Sequence, residues 1–125
     1  MLGYCTIGTN DIERAGVFYD ELAKILGHGR LMENDRAVMW GTPGKGAMLG
    51  LIKPRDEKPA TVGNGSMFGL SAPSEEQVHA VYDYALANGG SDEGPPGPRG
   101  ETFYGAYFRD PEGNKLVVFL TKAPA

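Results

Sequence analysis

The sequence predicts an α+β fold in which a βαβββ pattern occurs twice and a curved mixed sheet forms a cup. Three observations carry this reading. Two amphipathic helical stretches are each entered by a short strand, and each is followed by strand-like segments. The order repeats after about 60 residues. The stretch FRDPEGNKLVVF (108–119) reads as a tight hairpin with Asp110-Pro111-Glu112-Gly113 as its turn. Either copy alone would leave one face of its sheet and one face of its helix bare. Pairing the copies would bury both helical stripes against a shared sheet and leave the opposite face as the natural ligand site.

In the first copy, Tyr4-Cys5-Thr6-Ile7-Gly8-Thr9 has the β-branched and aromatic content of a strand. Asn10 is expected to cap the helix, with Glu13 three residues on. Ile12, Ala15, Tyr19, Leu22 and Leu26 then form one apolar stripe, and Gly27 supplies a left-handed stop. Residues 30–33, 37–42 and 47–53 read as strands, joined through Asn34-Asp35 and Pro43-Gly44-Lys45-Gly46. Residues 54–65 form a polar linker. The chain is thus expected to be one domain, 1–125, with module one at 1–53 and module two at 66–122.

The second copy opens with a strand at 66–72. Ser74-Glu75-Glu76-Gln77 is a capping box for a helix that turns Val78, Val81, Tyr82, Ala85 and Leu86 inward. Gly89-Gly90 ends it. Residues 91–94 are expected as a short strand and GPPGPRG (94–100) as a loop, since prolines cannot join a central sheet. Arg99 and Glu101 sit on that loop, either as solvated charges or as a lid. Residues 103–109 and 115–121 form the terminal hairpin, where Gly113 takes the left-handed position.

A chain of 125 residues buries about two-thirds of its unfolded surface and folds without staples. Cys5 is the only cysteine, which excludes an internal disulfide and suits a reducing cytoplasm. No apolar run approaches the ~18 residues of a membrane span. The start, MLGYCTIG, lacks the pattern of a signal peptide. Net charge −4 argues against a nucleic-acid partner. No phosphate loop and no serine or cysteine with a histidine base is present.

Residues 6–27, 63–90 and 103–119 together resemble the vicinal oxygen chelate superfamily, which holds glyoxalase I, extradiol dioxygenases and the bleomycin-resistance proteins. The resemblance spans nearly the whole chain and implies paired βαβββ modules around a cup. It also implies a homodimer. In the metal-dependent members, side chains from the first strand of each module and from the last strand hold a divalent cation. Those positions fall here on Tyr4, Met67 and Val117. A thioether suits soft copper(I), valine has no donor, and Tyr4 would have to ionise from a pKa near ~10. The expectation is therefore that no metal or other cofactor is used.

By period-two alternation, Tyr4, Thr6 and Gly8 share the cup with Met67, Gly69 and Ser71, and with Phe103, Gly105, Tyr107, Lys115, Val117 and Phe119. The three glycines are expected to leave room for a ligand. Trp40 is a further candidate, for stacking or for sealing the rim, or else an edge-strand core residue. The expected ligand contacts are Tyr4, Thr6, Trp40, Met67, Ser71, Phe103, Tyr107, Val117 and Phe119, around a small organic molecule. Met32, Met39 and Met48 suggest an adaptable lining or ordinary core. Cys5 is expected to point to the helix side as an inert thiol. His28 and His79 read as exposed or capping residues.

Two alternatives remain open. A glyoxalase I-type lyase or dioxygenase would need non-standard ligands from Glu33, Glu101 or His28. Metal-independent catalysis would use Tyr107 or Tyr4 for proton transfer.

Overall fold

Helix α1 (Ile12–Ile25) begins one residue later than the sequence suggests, and the reason is a competition for Asn10. Asp11, not Asn10, caps it: its carboxylate accepts from the Arg14 N–H at 3.1 Å. The Asn10 amide is engaged elsewhere, accepting from the Ala60 N–H at 2.7 Å and donating to the Ala60 carbonyl at 3.2 Å. The segment expected to be a bare linker is therefore pinned to the start of α1.

A computed structural model describes residues 1–123. The chain forms two units, Met1–Val62 and Gly63–Ala125. The first contains β1 (Tyr4–Gly8), α1, β2 (Gly29–Glu33), β3 (Ala37–Gly41) and β4 (Met48–Ile52). The second contains β5 (Phe68–Ser71), α2 (Glu75–Ala87), β6 (Ser91–Pro98), β7 (Phe103–Arg109) and β8 (Lys115–Thr121). Each is a βαβββ module. In place of one shared sheet there are two four-stranded mixed sheets, ordered β1-β4-β3-β2 and β5-β8-β7-β6. In both, the first strand runs parallel to the last, and the last three strands are antiparallel.

In module one, Phe18, Tyr19 and Leu22 of α1 are buried with Ile7, Val38, Trp40 and Leu51 from the sheet. Phe18 joins the stripe, whereas Ile12, Ala15 and Leu26 are only half-buried. Gly27 has φ 87°, the left-handed stop the sequence predicts. In module two, Val78, Val81 and Ala85 of α2 are fully buried with Ala106, Phe108, Leu116 and Val118. Leu86, expected inside, is exposed, and Tyr82 is half-buried, its hydroxyl donating to Asp92 at 2.8 Å. Ser74 caps α2, accepting from the Gln77 N–H at 3.4 Å, and its hydroxyl donates to the Gln77 side chain.

The proline-rich segment is the largest departure from expectation. Strand β6 runs to Pro98 and takes in Pro95, Pro96 and Pro98. It can do so because it is the outer strand of its sheet, paired only with β7, and its register slips twice between Asp92 and Gly97. Edge position and bulges are the settings that tolerate a missing N–H.

The terminal hairpin forms as read. The Gly113 N–H donates to the Asp110 carbonyl at 3.0 Å, and Gly113 has φ 95°. The Asp110 carboxylate is buried, with Oδ1 accepting from the N–H groups of Glu112 and Asn114 and Oδ2 from the Asn114 amide, each at 2.9 Å. These bonds fix the register of β7 against β8, which places Tyr107 opposite Val117 and Gly105 opposite Phe119.

Candidate functional site

Each sheet has one face packed on its helix and one face free of it. In module one the helix side is marked by Trp40, whose ring lies 5.9 Å from Tyr19 of α1. Its indole N–H donates to Asp20 at 2.8 Å. Register then puts Val38, Leu51 and Ile7 on the same side, and Tyr4, Thr6, Gly50 and Met39 on the other. Trp40 is only 4% exposed. Of the places the sequence leaves open for Trp40, stacking on a ligand, the rim or the core, the structure gives the core and not the candidate ligand contact. Its buried N–H needs an acceptor, and α1 supplies one in Asp20.

The helix-free face of module one is apolar and open. Tyr4 is 60% exposed, Met32 41% and Leu31 38%. Met39 and Met48 lie half-buried beside them, both close to Gly50 or Gly41. Cys5 points to the helix side with Ile7, half-buried, and burial pushes its thiol up from its ordinary value. That is an unreactive setting for a cysteine.

In module two the helix-free face carries Gly69, Ser71, Phe103, Gly105, Tyr107, Lys115, Val117 and Phe119, as the pairing of β5, β7 and β8 requires. Met67 immediately precedes β5 and is 48% exposed. The glycines do not leave the space expected of them. Phe103 and Phe119 stack in parallel, with centroids 5.1 Å apart. A Cβ at Gly105 would meet Phe103 Cε1 at 2.9 Å, and one at Gly69 would meet Phe119 Cε1 at 3.1 Å. The rings occupy the room the glycines vacate. Gly8 is likewise closed, because its missing Cβ lies 3.2 Å from Ala60.

Beside this stack, Tyr107 is flanked by two cations. The Arg99 guanidinium lies 5.6 Å and the Lys115 ammonium 5.7 Å from its ring centre. Arg99 is not an extended lid: its guanidinium folds back to donate to the carbonyls of Pro95 at 2.8 Å and Gly97 at 3.0 Å. Sequence reasoning placed Lys115 on this face but missed its convergence with Arg99. The signal was present only as a Gly-Pro run ending in arginine, with no indication that the run is a strand.

The alternative metal ligands are dispersed. Glu33 is paired with Arg30, His28 Nδ1 lies 2.6 Å from the Thr42 hydroxyl, and Glu101 is exposed on the β6–β7 loop. His79 is exposed, with Nε2 at 2.7 Å from the Tyr104 hydroxyl. Among the described residues, no three His, Cys, Asp or Glu side chains are grouped to hold a metal ion. The positions suggested by the family resemblance offer a phenol, a thioether and a hydrocarbon, and Val117 is 3% exposed. That donor set does not fit a hard or borderline divalent ion.

The model of the Glyoxalase/Bleomycin resistance protein/Dioxygenase superfamily matches residues 1–118. The chain belongs to this superfamily. A similar solved structure is a glyoxalase/bleomycin resistance protein from Albidiferax ferrireducens T118, 39% identical, covering 95% of this chain and 97% of that one, with TM-score 0.87. The superfamily fold is shared by a glyoxalase-related enzyme from Fulvimarina pelagi, with 17% identity, coverage of 100% and 99%, and TM-score 0.72. A lactoylglutathione lyase from Agrobacterium tumefaciens shares it too, with 20% identity, coverage of 95% and 92%, and TM-score 0.66. No match was found among curated proteins. This chain keeps the paired βαβββ modules of the superfamily. No helix among the described residues is long and apolar enough to cross a membrane.

Proposed function

We propose that this glyoxalase/bleomycin resistance superfamily member binds a small organic molecule on its helix-free sheet surfaces, without a resident metal or other cofactor. The observation that carries the reading is the donor set at Tyr4, Met67 and Val117, together with the aromatic and methionine side chains around those positions. Apolar walls with a few placed polar groups suit an organic ligand better than an ion. Candidate contacts are Tyr4 and Thr6 in module one, and Met67, Ser71, Phe103, Tyr107, Val117 and Phe119 in module two. Should the bound molecule react, Tyr107 and Tyr4 are the groups able to move a proton.

The exposed apolar side chains of module one, Tyr4, Leu31 and Met32, suit coverage by another chain, and a homodimer in a reducing cytoplasm is part of this proposal. Two measurements test it. Elemental analysis after dialysis is expected to find no stoichiometric divalent metal, and native mass spectrometry is expected to find or accept a small organic ligand. A tightly held equivalent of zinc, nickel, iron or manganese overturns the metal-free reading. Light scattering is expected to give twice the chain mass, and a monomer across the micromolar range removes the dimer.

A further inference from the structure

We propose that the helix-free face of module two holds an anion-binding subsite at Tyr107, Arg99 and Lys115. Its ligand would be an organic acid, with the acid group beside Tyr107 at the cations that flank it and a flat apolar part against Phe103 and Phe119. This rests on reading that face as the ligand surface, and names the class of molecule it takes.

Three features point the same way. First, the two cations approach Tyr107 from opposite sides of β7, Lys115 from β8 and Arg99 from the end of β6. Second, neither has a carboxylate partner among the described residues. The Arg99 guanidinium donates only to the carbonyls of Pro95, Gly97 and Pro98, and the Lys115 ammonium makes no hydrogen bond or ion pair among the described residues. By contrast, the neighbouring Arg109 is bound by Glu93 at 2.6 Å and donates to the Gly113 carbonyl at 2.8 Å. Third, Lys115 stands directly opposite Arg109 in the ladder, a like-charge placement. The Arg109 charge is matched by Glu93, so the uncompensated charge belongs to Lys115 and Arg99.

In a chain of net charge −4, two cations without a carboxylate partner among the described residues here flank a phenol whose hydroxyl makes no hydrogen bond among them. Ammonium, guanidinium and phenol are all donors, and lysine and arginine have no acceptor to offer. The complement of such a set is a carboxylate, phosphonate or enolate oxygen. Cation–π stacking alone accounts for the ring's position but not for two unmatched charges on one tyrosine. The Phe103–Phe119 stack is the adjoining apolar surface, since Gly105 and Phe119 form the next register pair on the same face as Tyr107 and Val117.

The experiment compares acids with neutral molecules of the same shape on the full chain. Benzoate and benzamide, and phenylacetate and phenylacetamide, are titrated calorimetrically at low salt. The expected result is at least tenfold tighter binding of each acid than of its amide, weakening as salt is added. Lys115→Gln should bring acid and amide to near parity with its melting temperature retained, Arg99→Gln should act in the same direction, and the exposed Lys24→Gln should change nothing. Equal affinity for acid and amide overturns the anion subsite and leaves a neutral-ligand reading of the face intact. An unchanged acid preference in Lys115→Gln, or an equal loss in Lys24→Gln, reduces the effect to diffuse charge and also overturns it. Silence of all four probes overturns the acid assignment, while the metal and mass measurements above decide separately whether the face binds a small molecule at all.

Discussion

The two modules have the same strand order and the same parallel first–last pairing, yet they use their equivalent positions differently. At the exit of α1, Gly27 is followed by His28, whose ring bonds Thr42, and by Gly29, which has nothing within 4 Å of a would-be Cβ. At the exit of α2, Gly89 is followed by Gly90, where a Cβ would lie 2.6 Å from the Arg109 carbonyl oxygen and 2.7 Å from that of Ala85. The helix-free faces diverge too, methionines and an exposed tyrosine in one, stacked phenylalanines and cations in the other. A repeated topology thus leaves the chemistry of each face free to vary, because the fold is set by the helix-packed residues.

The sharpest way to break the symmetry of the two exits is Gly90→Ala. The colliding atoms are backbone oxygens, one of which already accepts the Gly90 N–H at 2.8 Å, so neither can swing aside as a side chain would. The expected loss is about 3 kcal/mol or more, the upper range for overpacking, and a melting temperature lower by about 10 °C or more. Gly29→Ala should stay within about 0.5 kcal/mol. Comparable melting temperatures for the two variants would remove the difference drawn between the exits.

Next in size is the aromatic stack that module one lacks. Phe103→Ala removes a half-buried ring stacked on Phe119 and uncovers Gly105. Partial burial and stacking together give an expected loss of about 2 kcal/mol in urea unfolding. If the stack also forms part of the ligand surface, binding of the aromatic acids should fall with it.

These two positions show what the sequence can and cannot reveal. Strand alternation correctly placed Lys115, Val117 and Phe119 on one face and Leu116 and Val118 on the other, because a two-residue period is local information. The hairpin turn was legible for the same reason: Asp110, Pro111 and Gly113 act within five residues of one another. What failed were several inferences that depended on a particular distant side chain or strand. Gly69 and Gly105 looked like space, but rings from residues 103 and 119 cover them. Asn10 looked like the cap until Ala60, fifty positions away, claimed its amide. Pro95 and Pro96 looked like loop residues because nothing local says that β6 is an edge. Trp40 stayed open between rim and core because Asp20 lies on another element. At the candidate site, the side chains at residues 4, 67 and 117 were readable from identity alone, whereas the placement of Arg99 and Lys115 around Tyr107 was not.

In module one a charged anchor joins α1 to the sheet. Arg30 forks onto both Asp20 oxygens at 2.8 Å, and Trp40 shares one of them. The hydrogen bonds from Arg30 are the main reason the Asp20 carboxyl sits below its ordinary pKa, with burial opposing and Trp40 assisting. The sign follows from linkage. A carboxyl whose folded pKa is depressed contributes fully above its unfolded value near ~3.9, and the contribution is lost as pH falls through the folded value. Asp20→Asn keeps an acceptor for Trp40 but removes the charge. Because the Asp20 side chain is 43% exposed and solvent screens it, the cost at neutral pH should be below about 1 kcal/mol. The difference from wild type should hold from pH 8 to about 5 and vanish in strong acid. A gap that instead widens below pH 4 contradicts the assignment.

The smallest effect belongs to the ion pair that ties α2 to the end of the module-two sheet. Lys122 Nζ lies 2.8 Å from Glu75, and also 5.2 Å from the Tyr104 ring. It resembles the Arg30–Asp20 pair in length but differs in what depends on it. Asp20 also accepts the N–H of a buried tryptophan, whereas Glu75 has solvent around it and its side chain is 48% exposed. Glu75 also stands in the first turn of α2, where a negative charge is favoured by the helix N-terminus. Both contributions are screened, so Glu75→Gln should cost no more than about 0.5 kcal/mol and should become neutral at 1 M salt. A larger loss that survives high salt would mean that Glu75 acts through packing rather than through its charge.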